Sequence, residues 1–289
     1  SFDDALYPQP LRQLSDPPPV LFLRGNKMLL HQPLVAIVGS RAATAYGRKA
    51  AHRLAEGLSR AGVIVVSGMA VGIDSSGHAG ALQGGGTTIA VLGSGLDVVY
   101  PPQNKKLFQD IVARGVVISE YPLGTAPEAF RFPARNRIIA GITAAIVVVE
   151  AAKRSGSLIT AQIGLDYGRE IFAVPGQIDS FKSEGTHWLL QQGAKLVQRV
   201  EDILEELDGH WQLAGPDSFP TPDHDSSETA ADSDEARLLS LLEPYPLPRD
   251  GVIAKVGLPA ARVSELLLLL ELAGKVDILP GDQIQRRED

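Results

Sequence analysis

Six apolar runs rich in Val and Ile recur at intervals of roughly 25 to 30 residues from Val35 onward: VAIVGS, VIVVSG, TTIAVLG, GVVISE, AAIVVVE and EIFAVPG. Between them lie stretches with a helical period, such as YGRKAAHRLAEGLSRAG, whose apolar residues fall three and four apart. Runs that stay apolar throughout read as strands covered on both faces, and strands that alternate with helices form a parallel sheet. The expected fold class is therefore α/β: a doubly wound, mainly parallel, Rossmann-like sheet. AKLVQ, from Ala194, adds a last strand, and VEDILEEL closes the domain as a helix.

The same reading divides the chain. Residues 1–33, with YPQP and DPPPVLF, form an extended lead-in, and residues 34–207 form the sheet domain. Residues 208–232 carry six carboxylates and no Lys or Arg among many Pro and Ser, the composition of an acidic flexible linker. Residues 233–289 show three helical patterns and then two short strand-like pieces around Pro280 and Gly281, the outline of a small winged-helix-like domain. A three-helix domain that reads no groove fits equally well, because the third pattern, AARVSELLLLLELAG, offers phosphates a single arginine.

Charge bears on the partner. The formal net charge is −7, yet residues 1–207 hold 20 Lys and Arg against 18 Asp and Glu. The acid is concentrated toward the C-terminus, so the sheet domain is free to meet a polyanion. With no cysteine there is neither a disulfide nor a thiolate metal site, and the six histidines show no HxxH or HxxxH spacing. No metal and no cofactor are expected. The longest apolar run, VSELLLLLELAG, is interrupted by glutamates, and no basic-then-apolar leader opens the chain. The expectation is a cytoplasmic protein without a membrane partner.

In open parallel sheets, ligands bind beyond the carboxyl ends of the strands, where loops lead into helix N-termini. Four loops share that edge here. They carry Gly39, Ser40 and Arg41; Ser67 and Gly68, followed by Gly72 and Asp74; the long EYPLGTAPEAFRFPARNR, with Arg131, Phe132, Arg135, Asn136 and Arg137; and Lys153, Arg154, Ser155, Gly156 and Ser157. Glycine amides, serine hydroxyls and helix starts suit phosphate, and the arginines and lysine supply charge. A dinucleotide fingerprint fails twice: GSRAAT replaces GxGxxG, and Ser67 and Gly68 close the second strand where an acid is needed. GxxxxGK[ST] is also absent. Within FRFPARNR the rings offer faces on which unstacked bases can lie, worth about 1 to 3 kcal/mol per base, which a duplex would not supply. Phe130 and Phe132 would serve as well as inward loop anchors.

VAIVGSR, VVSGMAVGID, VLGSGLDVVYPPQN, ISEYPLGTAP, FPARNRIIAG, SGSLITA and VPGQ followed by GTHWLLQQGA, in that order, resemble the DNA-processing protein A family, also called Smf. The resemblance covers about Leu21 to Leu207, and the C-terminal segment is similar to the winged helix that many members carry. It implies a non-catalytic recombination mediator that binds incoming single-stranded DNA in transformation, loads the RecA recombinase on it and works as a homodimer. Arg41 would hold the backbone, Phe132 would stack on a base, and Arg135, Asn136 and Ser155 to Ser157 would line the pocket. Some relatives place a lysine just before the stacking phenylalanine; here Ala129 gives no charge, and Arg131 is the substitute. Many members carry a small helical domain ahead of the sheet, where this sequence has only the lead-in.

Two other readings share the sheet. A nucleoside-monophosphate phosphoribohydrolase would need the glutamate of PGGxGTxxE, and RSGSLITAQIG has no acid. A small-nucleotide sensor would use the same crevice without gaining from a longer strand.

Overall fold

The computed structural model describes residues 1–207 throughout and, beyond them, residues 238, 241–242, 247–258, 263–264, 266–267, 270–271, 276–279 and 283–286. The chain forms two compact units, Ser1–Phe219 and Pro220–Asp289.

The first unit is built on eight strands: β1 (Phe22–Gly25), β2 (Leu34–Gly39), β3 (Ile64–Ser67), β4 (Thr88–Leu92), β5 (Val116–Ser119), β6 (Ala145–Val149), β7 (Glu170–Ala173) and β8 (Lys195–Leu196). Their order is β1-β5-β4-β3-β2-β6-β7-β8. Every neighbouring pair is parallel except β1 with β5. The helices are α1 (Gln9–Arg12), α2 (Ala45–Arg60), α3 (Ile73–Gln83), α4 (Lys105–Arg114), α5 (Arg131–Ile142), α6 (Gly156–Asp166), α7 (Glu184–Gln191) and α8 (Glu201–Leu207). All six apolar runs are strands, and AKLVQ and VEDILEEL supply β8 and α8 as expected.

Burial explains the unbroken apolar runs. In β2, Leu34, Ala36 and Val38 face one core layer, while Val35 and Ile37 face the other. Successive strand side chains alternate faces, so a strand covered on both sides has no water-facing position, and its few polar side chains, such as Ser67 and Thr88, hydrogen-bond to protein carbonyls. On the second face α2 sets Ala50, Ala51, Leu54, Ala55 and Leu58 against the sheet, spaced as a helical stripe requires. Its first turn is capped by Thr44, whose hydroxyl accepts from the Gly47 amide at 3.1 Å. From β2 the chain winds outward through β3 and β4 to β5, then returns to β6 on the other side of β2. That reversal makes the loops after β2 and β6 diverge and opens a crevice between them.

Two expectations change. The lead-in is packed, not merely extended: Leu11 and Leu14 are buried in the first core layer, and β1 adds an antiparallel strand to the outer edge of β5. Gly141 of α5 leaves no room for a Cβ because Leu11 and Leu14 occupy that space. Also, FRFPARNR lies at the start of α5, not in a loop. Pro133 is tolerated there because amides of a first helical turn have no partner to lose.

In the second unit, α9 (Arg249–Val256) accompanies a three-stranded antiparallel sheet of β9 (Leu247–Pro248), β10 (Val276–Leu279) and β11 (Gln283–Arg286), ordered β10-β11-β9. Its core holds Leu238, Leu242, Val252, Val256, Leu266, Leu267, Leu270, Val276 and Ile284 among others. The described leucines of that pattern, Leu266, Leu267 and Leu270, thus pack inward, and β9 is a strand the sequence reading missed. The expected linker, 208–232, and the turn at Pro280 and Gly281 lie outside the described residues.

Candidate functional site

A cavity of about 800 Å³ opens at the carboxyl edge of the sheet, where β2 and β6 part. The turn after β2 contributes Gly39, Ser40 and Arg41; α5 contributes Phe132, Arg135 and Asn136; the start of α6 contributes Ser155, Gly156 and Ser157. Nine residues chosen from the sequence therefore meet in one crevice, although they span more than a hundred positions.

The floor is locked. Arg135 is 4% exposed, and its guanidinium donates to the Gly68 carbonyl at 2.7 Å and to that of Val91. It thereby ties α5 to the ends of β3 and β4. Burial brings its guanidinium down to about 10, with Asp74 opposing the shift, so it stays charged at neutral pH. Asp74, also in the lining, accepts from the Ala70 amide at 3.2 Å. Burial pushes its carboxyl up while Arg135 holds it down. Near this pair His78 is fully buried, its Nδ1 2.8 Å from the Thr88 hydroxyl. That hydroxyl donates to the Val65 carbonyl at 2.6 Å, so Nδ1 must be the donor to it. Burial drives His78 down to about 3 and keeps it neutral.

The rim is adjustable. Arg41 is exposed and lies over the Phe132 ring, 5.1 Å from its centroid, and Tyr100 stacks on the same ring at 5.8 Å. A solvent-exposed guanidinium over a half-buried ring is worth only about 0.5 to 1 kcal/mol. Across the crevice, Ser155 caps α6 by accepting from the Ser157 amide at 3.3 Å. A Cβ at Gly156 would meet nothing within 4 Å, so this helix start is open to a ligand. The positive end of a helix dipole favours an anion.

The wall between β2 and α6 is fixed by Glu150, which adopts φ 53°. Its carbonyl accepts from the Ser40 amide at 2.8 Å, and its carboxylate accepts from the amide of Thr44 at 2.9 Å and from the Thr44 hydroxyl. Those bonds hold a left-handed backbone that costs on the order of 1 kcal/mol or more. The carboxylate is therefore spent on loop geometry.

Five selected residues are not brought to the crevice lining. Ser67 is fully buried and donates to the Ile37 carbonyl at 2.6 Å. Gly68 packs against the Arg135 guanidinium, which occupies the place of a Cβ. Arg131 bonds the Ala126 carbonyl, pairs with Glu128 at 3.5 Å and lies between the Tyr121 and Phe130 rings. Arg137 is held by Glu120 at 2.6 Å and Asp16 at 3.4 Å. Lys153 lines a neighbouring cavity of about 480 Å³ with Arg154, Ser155 and Trp188. Conversely, Tyr100 and Thr160 line the crevice and were given no role; Tyr100 stood inside the motif VLGSGLDVVYPPQN, which was its only signal. Among the described residues no group of His, Asp and Glu could hold a metal, and no helix is long and apolar enough to cross a membrane.

Comparison with known proteins gives the family. The family model of the DNA recombination-mediator protein A matches residues 1–208, and that of the DprA winged helix domain matches residues 222–282. The chain is 42% identical over 289 residues to Protein Smf of Escherichia coli K12, covering 99% of this chain and 76% of the relative. It resembles the X-ray structure of DNA processing protein A from Streptococcus pneumoniae with 49% identity and a TM-score of 0.69, over 70% of this chain and 71% of that one. It also resembles DNA processing protein A from Helicobacter pylori, whose structure describes a single-stranded DNA binding mode, with 31% identity and a TM-score of 0.66 over 71% and 94% of the two chains. With two family models in succession and one relative matched over 99% of this chain, the chain belongs to the DNA-processing protein A (DprA/Smf) family, a family of non-enzymatic DNA recombination mediators.

Proposed function

We propose that the crevice holds single-stranded DNA, with a base on the Phe132 ring and backbone phosphates on Arg41, Arg154 and the first amides of α6. Asn136 and Ser155 to Ser157 would line the bound nucleotide. The observation that carries this reading is the Arg41–Phe132 contact on one wall of the crevice, with the open start of α6 on the other. A base displaces the guanidinium from the ring, losing about 0.5 to 1 kcal/mol of cation–π attraction and gaining about 1 to 3 kcal/mol of stacking. The released Arg41 then meets the phosphate. In a duplex the base faces are already stacked, so the exchange has no counterpart.

As a member of a mediator family, the protein passes this strand to a RecA-class recombinase in the cytoplasm. Residues 34–207 act as the DNA-binding domain, with 208–232 as a linker to a winged-helix domain at 233–289. Two copies join through the segment around α7, where Trp188 is exposed while Leu189 is buried.

Fluorescence anisotropy of the full chain with single-stranded and duplex oligonucleotides over a salt series tests the reading. Single strands should bind more tightly, with log affinity falling against log salt by about 0.7 per neutralised phosphate. Equal or tighter duplex binding would overturn it. Tight binding of a mononucleotide with no gain from length would reassign the crevice to a small nucleotide.

A further inference from the structure

The segment between β7 and α7 contains the most exposed large hydrophobic side chain among the described residues: Ile178 is 86% exposed, and Phe181, three residues on, is 63% exposed. This exposure is not a product of slackness. Two successive turns close with the Ser180 amide on the Gln177 carbonyl at 3.1 Å and the Ser183 amide on that of Ser180 at 2.9 Å. The Tyr46 hydroxyl donates to the Pro175 carbonyl at 2.8 Å, His187 Nε2 lies 3.1 Å from the Gly176 carbonyl, and Ser183 is buried. The loop is pinned at both ends and presents its two large apolar side chains to water. It also adjoins the crevice rim, because Lys182 Nζ donates to the carbonyl of Ala42, the residue next to Arg41.

We propose that this loop is a second stacking platform for single-stranded DNA, on which Phe181 and Ile178 carry bases of the same strand as it leaves the crevice past Arg41. The proposal rests on the single-strand reading of the crevice. Lys182 lies 5.8 Å from the Phe181 ring centroid, so the platform pairs a ring face with an ammonium group. The loop also carries Asp179, which balances Lys182 in charge. Its contribution therefore falls on bases and not on phosphates, with a small salt dependence. A protein partner is the weaker occupant: a stable interface needs about 800 Å² on each side, and two corner side chains provide a small fraction of that.

The test uses the full chain and labelled homothymidine oligonucleotides of about four and about twenty nucleotides, lengths that bracket single-strand site sizes. Phe181→Ala should bind the short oligonucleotide within twofold of the unmodified protein and the long one at least fivefold more weakly, with an unchanged salt slope. Phe181→Trp should restore the long-strand affinity, and Ile178→Asp should lower it. Phe132→Ala, measured in parallel, should weaken both lengths. Unchanged long-strand binding by Phe181→Ala and Ile178→Asp overturns the platform whatever Phe132→Ala does. Unchanged binding of both lengths by Phe132→Ala, with the long strand still weakened by Phe181→Ala, overturns base stacking in the crevice and with it the shared path past Arg41, while showing that the loop itself meets DNA. Light scattering on the same samples separates the remaining case: if Phe181→Ala shifts the oligomeric state while affinity per protomer holds, the loop contacts a second copy and the proposal falls.

Discussion

Arg135 and Arg41 line the same crevice and do opposite things. Arg135 is buried and donates to two backbone carbonyls, whereas Arg41 is exposed and rests against a ring that a ligand can take from it. The floor is part of the fold, and the rim is available for binding. The difference shows that an arginine in a binding motif contributes to a ligand only if its hydrogen bonds are not already committed to protein atoms.

The largest effect should come from breaking the floor. Arg135→Ala leaves the Gly68 and Val91 carbonyls without that donor and Asp74 without its compensating charge. It should destabilise the protein by about 3 to 5 kcal/mol in chemical denaturation; a variant of wild-type stability would erase the distinction between floor and rim. The rim should respond in affinity instead. Arg41→Ala should cost roughly 1.5 to 3 kcal/mol of single-strand binding and make the salt slope shallower, with unfolding unchanged. Phe132→Ala should cost about 1 to 3 kcal/mol and leave the slope as it was, so the pair separates phosphate from base contact on one oligonucleotide.

The smallest effect concerns His78, near the floor. Its folded value of about 3 lies below the ordinary 6.5, so the native state binds fewer protons than the unfolded chain. Its full contribution is present above pH 6.5 and is lost as pH falls toward 3. Between pH 7.5 and 6 the loss is about 0.8 kcal/mol, read as the difference in denaturation midpoints between wild type and His78→Gln. Subtracting the variant matters, because the raised carboxyl of Asp74 works in the opposite direction as pH falls. A difference that does not change with pH would mean that His78 takes up protons in the native state as it does in the unfolded chain, and is not held neutral by burial.

The sheet was legible because strands covered on both faces offer no position to water and are therefore largely apolar, and β2 and β6 show this over their whole length. The crevice was legible as far as topology reaches, since every loop that leaves a parallel strand leaves it at the same edge. What local sequence did not show was the fate of each side chain. The three arginines of FRFPARNR look alike in sequence, yet Glu120 and Asp16 take Arg137, Glu128 and the Ala126 carbonyl take Arg131, and the carbonyls of Gly68 and Val91 take Arg135. Several of those partners lie tens of residues away, and a motif does not contain them. β1 was missed for a related reason: FLRG has neither the length nor the apolar character of a central strand, and only β5 makes it one.

The two borders of the large sheet have a consequence for how copies of the protein can meet. One border is the four-residue β1, with Arg24 in it; the other is the two-residue β8, where Lys195 bridges Glu170 and Glu206. Short, charged borders are poor templates for a further strand. Growth of this sheet from molecule to molecule is thereby discouraged, so copies can be brought close together without their large sheets zipping together. Pairing through side chains on the helical faces and loops, where single substitutions can tune it, is favoured over pairing through the borders of this sheet.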